Sequence, residues 1–101
     1  MTQPSAVAPT DADVLTVLRE ALAELLEPAE LAQVDLDSIR SGTPLLSLPL
    51  DSITLVAAMT RVENEFKVFI PEQKAFAFQQ VGDIADFVRE RVQAKAARAA
   101  E

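Results

Sequence analysis

The 101-residue chain contains no cysteine and no histidine, and these two absences remove most of the usual side-chain chemistry. They exclude disulfides, thiolate nucleophiles, Cys/His zinc sites and histidine-based triads. The carboxylates do not fall in the EF-hand pattern, so no metal is expected. Tryptophan and tyrosine are absent too, leaving five phenylalanines as the only aromatics. Half of the residues are still apolar, so the core is expected to be aliphatic. No apolar run approaches the ~20 residues of a membrane span. Met1–Thr10 lacks the basic and apolar regions of a signal peptide, and the chain reads as cytoplasmic. With no acid–base or nucleophile–base constellation in view, a free-standing enzyme is not expected.

What is present is acidic and unevenly placed. The net charge is -7. Residues 1–60 carry nine Asp/Glu against two Lys/Arg, whereas residues 61–101 carry seven of each. The whole excess therefore lies in the first three-fifths. Nucleic acid is an unsuitable partner, since phosphates need clustered Lys/Arg. Proteins with basic docking surfaces remain compatible with this charge.

The length suits one domain. Residues 1–10 form a Pro/Ala/Thr/Ser arm without periodicity, expected to be disordered. From Ala12 to Leu26, Val14, Leu15, Leu18, Leu22, Leu25 and Leu26 fall on one helical face. Thr10 or Asp11 can cap that helix, and Pro28 marks its end or lies shortly beyond it. Residues 29–50 form a long connection containing Gly42, Pro44 and Pro49, with a short turn of helix near Ala29–Gln33. Its apolar residues Leu36, Ile39, Leu45, Leu46 and Leu48 predict a loop packed across the helices. A second helix runs from Ser52 to Phe66 with Leu55, Ala58, Met59, Val62 and Phe66 as its core stripe. Val68-Phe69-Ile70 reads as a packed connector. A short third helix spans Glu72 to about Phe78, and a last one spans Asp83 to about Ala97. The prediction is an all-α four-helix bundle, three longer helices and a short third one, occupying residues 11–93. An Ala-rich tail at 94–101 is expected to fray.

The tetrapeptide Leu-Asp-Ser-Ile occurs twice, at Leu36–Ile39 and at Leu50–Ile53. Only the second copy opens an amphipathic helix, because Ser38 is followed by Arg40, Ser41, Gly42, Thr43 and Pro44. Around Ser52 a longer register appears. Thr43-Pro44-Leu45 precedes it, Phe66 follows by 14 positions and Pro71 by 19. This order over roughly residues 11–92, closing on Val81-x-Asp-Ile-x-Asp-Phe-Val, resembles the acyl carrier protein family. The resemblance implies that Ser52 carries 4'-phosphopantetheine derived from coenzyme A, and that Asp51 orients the serine for the transferase. It implies acyl groups carried as thioesters between enzymes of a fatty acid, polyketide or specialised lipid pathway. Its partners would be a phosphopantetheinyl transferase and acyl-loading, ketosynthase or acyltransferase-type enzymes, met by a monomer. Read without the resemblance, Asp51-Ser52 is an ordinary helix cap. One departure stands out: Pro49 occupies a place where the family often has Gly.

By the same resemblance, partners dock on the second helix through Ile53, Val56, Ala57, Thr60, Glu63 and Asn64. This face is more apolar than in carriers of primary fatty acid synthesis, which points to a specialised partner set. Leu55, Met59, Val62, Phe66, Phe69, Phe76 and Phe78 are candidates to line a pocket for the tethered chain; simple core packing is the alternative for each. Two other functions remain open: a peptidyl or aminoacyl carrier, and a carrier-like helical adaptor whose serine is never modified.

Overall fold

A computed structural model describes residues 9–100, with side chains described through Arg98. The greater part of the expected N-terminal arm, residues 1–8, and Glu101 lie outside the described residues. The described residues are helical, in the order α1 (Asp11–Leu25), α2 (Pro28–Leu31), α3 (Ser52–Phe66), α4 (Glu72–Ala77) and α5 (Val81–Ala100). Among them the only β feature is an isolated bridge between Pro44 and Gln80. The all-α reading holds, and the short turn of helix expected near Ala29–Gln33 is α2.

Each boundary has a local cause. Thr10 opens α1 with a reciprocal cap: its hydroxyl accepts the Asp13 N–H, and the Asp13 carboxylate accepts the Thr10 N–H. Pro28 lies shortly beyond the end of α1, as expected, and begins α2, where its missing N–H costs nothing. α3 ends on Lys67, whose left-handed backbone (φ 57°) directs its N–H to the Glu63 carbonyl. α5 starts at Val81, two residues earlier than expected, because Asp83 accepts the N–H groups of Gln79 and Gln80. It continues to Ala100, past the expected end near Ala97.

The core is aliphatic, as composition required. Val14, Leu18, Ala21 and Leu22 of α1 meet Ala58, Met59 and Val62 of α3 and Val81, Ile84 and Val88 of α5. From the connection, Ile39, Leu45 and Leu48 are buried and Leu36 is half-buried. Leu46 departs from the packed-loop expectation, since it is 99% exposed. Leu45–Ser47 is a 3-10 turn, in which residues three apart align. Leu45 and Leu48 therefore share the inward face while Leu46 points out. The connector at 68–70 alternates in the same sense: Val68 and Ile70 are buried, whereas Phe69 is 70% exposed.

The connection is fastened at defined points. Arg19 donates to the carbonyls of Leu36 (2.9 Å) and Ile39 (2.7 Å). Farther on, Val81 N–H donates to Thr43 O at 3.0 Å and Gly82 N–H to Ser41 O at 2.7 Å. A Cβ at Gly82 would lie 3.1 Å from that Ser41 oxygen, so the close approach depends on glycine. The same Ser41 donates to Asp11, which also pairs with Arg89 of α5. These ties hold the segment leading into Ser52 against the start of α5.

Candidate functional site

The two Leu-Asp-Ser-Ile copies fold into opposite environments. Leu36–Ser38 is a 3-10 turn, where the Ser38 hydroxyl donates to Asp35 O at 2.8 Å and Ile39 is 2% exposed. In the second copy Asp51 is the N-cap of α3, its carboxylate accepting the Thr54 N–H at 2.7 Å. Ser52 is the first helical residue and is exposed. Among the described residues no hydrogen bond engages its hydroxyl. Ile53 beside it is 79% exposed. One tetrapeptide thus buries its isoleucine and ties its serine; the other presents both to solvent.

Asp51 is held below the usual carboxylate range, chiefly by the Thr54 N–H. At neutral pH it is an anion at the positive end of α3, where the first N–H groups have no carbonyl partner inside the helix. Capping and charge therefore belong to Asp51, and the Ser52 hydroxyl is free of both tasks.

Ser52 stands between two surface hollows. One, of about 230 Å³, is lined by Leu45, Leu46, Leu50, Leu55, Ala75, Phe76 and Phe78 as well as Ser52. The other, of about 250 Å³, is lined by Ser52, Ile53, Val56, Glu72 and Phe76. Val56 and Glu72 also border a third, of about 250 Å³, with Met59, Thr60, Glu63, Phe69, Ile70 and Ala75. The hollows follow one another along the α3/α4 face, away from the serine.

The pocket candidates divide accordingly. Leu55, Phe76 and Phe78 border the hollow at Ser52, and Met59 and Phe69 border the farthest one. Val62 and Phe66 belong instead to the core packing. Among the docking candidates, Ile53, Val56, Thr60 and Glu63 border hollows, while Ala57 is half-buried and Asn64 exposed. Glu63 is half-buried and engaged: its carboxylate accepts the Ile70 N–H at 2.6 Å, fastening the connector to α3. Arg61 on the same helix pairs with Glu24 of α1 at 2.5 Å. The sequence reading missed Leu45, Leu46, Leu50, Ile70, Glu72 and Ala75 as hollow-lining residues. A three-residue period across Leu45–Leu48 was the available signal for Leu46.

A phosphopantetheine group suits this donor set. It requires an accessible hydroxyl, a helix start for its phosphate, and apolar surface beside the attachment atom. All three meet at Ser52. Comparison with known proteins agrees on the group. A family model described as phosphopantetheine attachment site matches residues 16–88, a span that includes both serines. An acyl carrier protein of Lactobacillus acidophilus (strain ATCC 700396 / NCK56 / N2 / NCFM) is 36% identical over 62 residues, covering 60% of this chain and 78% of that protein. The cofactor is covalently attached 4'-phosphopantetheine, and the chain belongs to the phosphopantetheine-attachment family of carrier proteins, to which acyl carrier proteins belong.

Proposed function

We propose that Ser52 is the attachment residue and that the protein is an acyl carrier. The observation that carries this reading is the division of labour at the start of α3, where Asp51 caps and the exposed Ser52 hydroxyl is unbonded. Ser38, the alternative within the same matched span, already donates its hydroxyl to a backbone carbonyl. In the transfer, the Ser52 Oγ attacks the coenzyme A phosphorus that bears the pantetheine. A serine O–P bond forms, the pyrophosphate O–P bond breaks, and 3',5'-ADP leaves. A base on the transferase takes the serine proton, because this chain has no histidine to do so. The attached arm supplies a thiol for thioesters, which a chain without cysteine cannot offer.

The carried groups are acyl intermediates of a fatty acid, polyketide or specialised lipid pathway. The partners are the transferase and acyl-loading, ketosynthase or acyltransferase-type enzymes, working with a cytoplasmic monomer. Asp51 favours an acyl over a peptidyl or aminoacyl cargo, since carriers of the latter kind more often have a non-acidic residue before the serine. No described helix is long and apolar enough to cross a membrane. Intact mass after incubation with coenzyme A, magnesium and a broad-specificity phosphopantetheinyl transferase tests the assignment. One phosphopantetheine is expected on wild type and on Ser38→Ala, and none on Ser52→Ala. A folded wild type left unmodified, also by a transferase of the same source, would instead leave the adaptor reading.

A further inference from the structure

Resting on the assignment of Ser52, we propose that the transferase that loads this serine docks through three apolar side chains, Leu46, Ile53 and Phe76, rather than through carboxylates of α3. An enzyme acting on the Ser52 hydroxyl must cover the surface that surrounds it. That surface consists of the two hollows that share Ser52, and Glu72 is the only charged residue lining either. Leu46 rises from the 3-10 turn on one side and Ile53 from α3 on the other, 99% and 79% exposed. Phe76, 51% exposed, borders both hollows from α4. Three large apolar groups from three separate segments thus ring one hydroxyl.

Two carboxylates of α3 and its cap are engaged by backbone N–H groups. Asp51 holds the Thr54 N–H and Glu63 the Ile70 N–H. Arg61, on the same helix, pairs with Glu24 of α1. The exposed acids of the first half, such as Glu20, Glu27 and Asp37, lie on α1, at the start of α2 and in the connection. An enzyme centred on Ser52 therefore meets Asp51 and Glu72 as its nearest negative charges, set in a surface that is otherwise apolar or neutral. The partner chemistry that fits is an apolar surface with a slot for Leu46, and association should depend weakly on salt. Leu46 is the specificity determinant in this arrangement, because it is held fully outside the core by a turn anchored through buried Leu45 and Leu48.

Steady-state transfer from coenzyme A with the broad-specificity transferase, read by intact mass, tests this on wild type, Leu46→Ser and Ile53→Ser. Both side chains are exposed, and equal thermal midpoints establish that the variants are folded. Each is expected to raise the KM for the carrier by about tenfold with kcat unchanged, the consequence of losing one buried apolar side chain at an interface. Between 50 and 300 mM NaCl, wild-type kcat/KM should change by less than about twofold. Wild-type KM in both variants overturns the proposal while leaving Ser52 as the attachment site. So does a steep salt dependence accompanied by a rise in KM for Glu72→Gln. Absence of any transfer to wild type removes the attachment assignment itself, and this proposal with it.

Discussion

At the scale of single residues, the start of α3 separates two roles that the sequence left fused. Either Asp51 or Ser52 is a chemically competent cap, and only geometry assigns the task to Asp51. Ser52→Ala should therefore leave the thermal midpoint within about a degree or two of wild type while abolishing attachment. Asp51→Ala should lower the midpoint by a few degrees, because the Thr54 N–H loses its acceptor. Thermal denaturation of the two variants side by side checks the assignment, and the reverse order of effects would show that Ser52 is the cap. The attachment register was legible because it is one-dimensional: a serine, a helix, a phenylalanine and an Ile-Pro at fixed intervals. What surrounds the serine was less so. Leu46 looked like a core residue of a packed loop, and a one-residue shift of phase in a 3-10 turn places it in solvent. Glu63 looked like a docking charge, but a backbone N–H seven residues onward claims it.

At the scale of elements, the long connection behaves as a strapped segment. Its two 3-10 turns turn inward apolar residues three positions apart, Leu36 with Ile39 and Leu45 with Leu48, and Arg19 of α1 reaches across to two of its carbonyls. Hydrogen bonds from a charged donor contribute about 1.5–3 kcal/mol each when partly shielded. Arg19→Ala should cost about 2–3 kcal/mol and accelerate amide exchange through residues 36–48. Arg19→Lys should recover only part of this, because a single ammonium does not reproduce the fork of a guanidinium. Unchanged exchange in the alanine variant would mean that apolar burial alone holds the strap. The helices themselves were readable from periodicity, since the stripes of α1 and α3 are the faces they bury. Their ends were less readable. α5 begins two residues early through a cap reaching backward from Asp83 and runs on past its expected end near Ala97. Arg19 gave no sign of its role, because contacts 17 and 20 residues away leave no local pattern.

At the scale of the whole molecule, the absence of histidine and the depressed carboxylates together set the response to pH. No side chain has its ordinary titration between about pH 5 and 8, so stability should vary little there beyond the slow change in self-repulsion of a chain carrying -7. Below that range two groups act in the same direction. Asp11 is lowered chiefly by its hydrogen bond from Arg89, then by Ser41; Asp51 is lowered chiefly by the Thr54 N–H. A carboxyl depressed in the folded state binds fewer protons there than in the unfolded chain, where Asp titrates near ~3.9. Its contribution is therefore complete above about pH 4–5 and disappears as pH falls through the folded value. The Arg89–Asp11 pair joins the first residue of α1 to the middle of α5, and both side chains remain partly open to water, at 30% and 44% exposure. Solvent screening thus limits its worth to about 1 kcal/mol or less. Arg89→Gln should be less stable than wild type at pH 7 by that amount. The difference should begin to narrow as pH drops below about 4 and should close only once pH has fallen below the lowered folded value of Asp11, where the carboxyl is protonated in both proteins and the missing guanidinium has no anion to meet. Urea midpoints of the two proteins between pH 2.5 and 8 measure this difference directly, with the background self-repulsion largely common to both. A gap of constant size across that range would assign the loss to packing of the arginine stem, and convergence at low pH would assign it to the carboxylates that Arg89 meets, Asp11 at the start of α1 and Asp86 one turn back on α5.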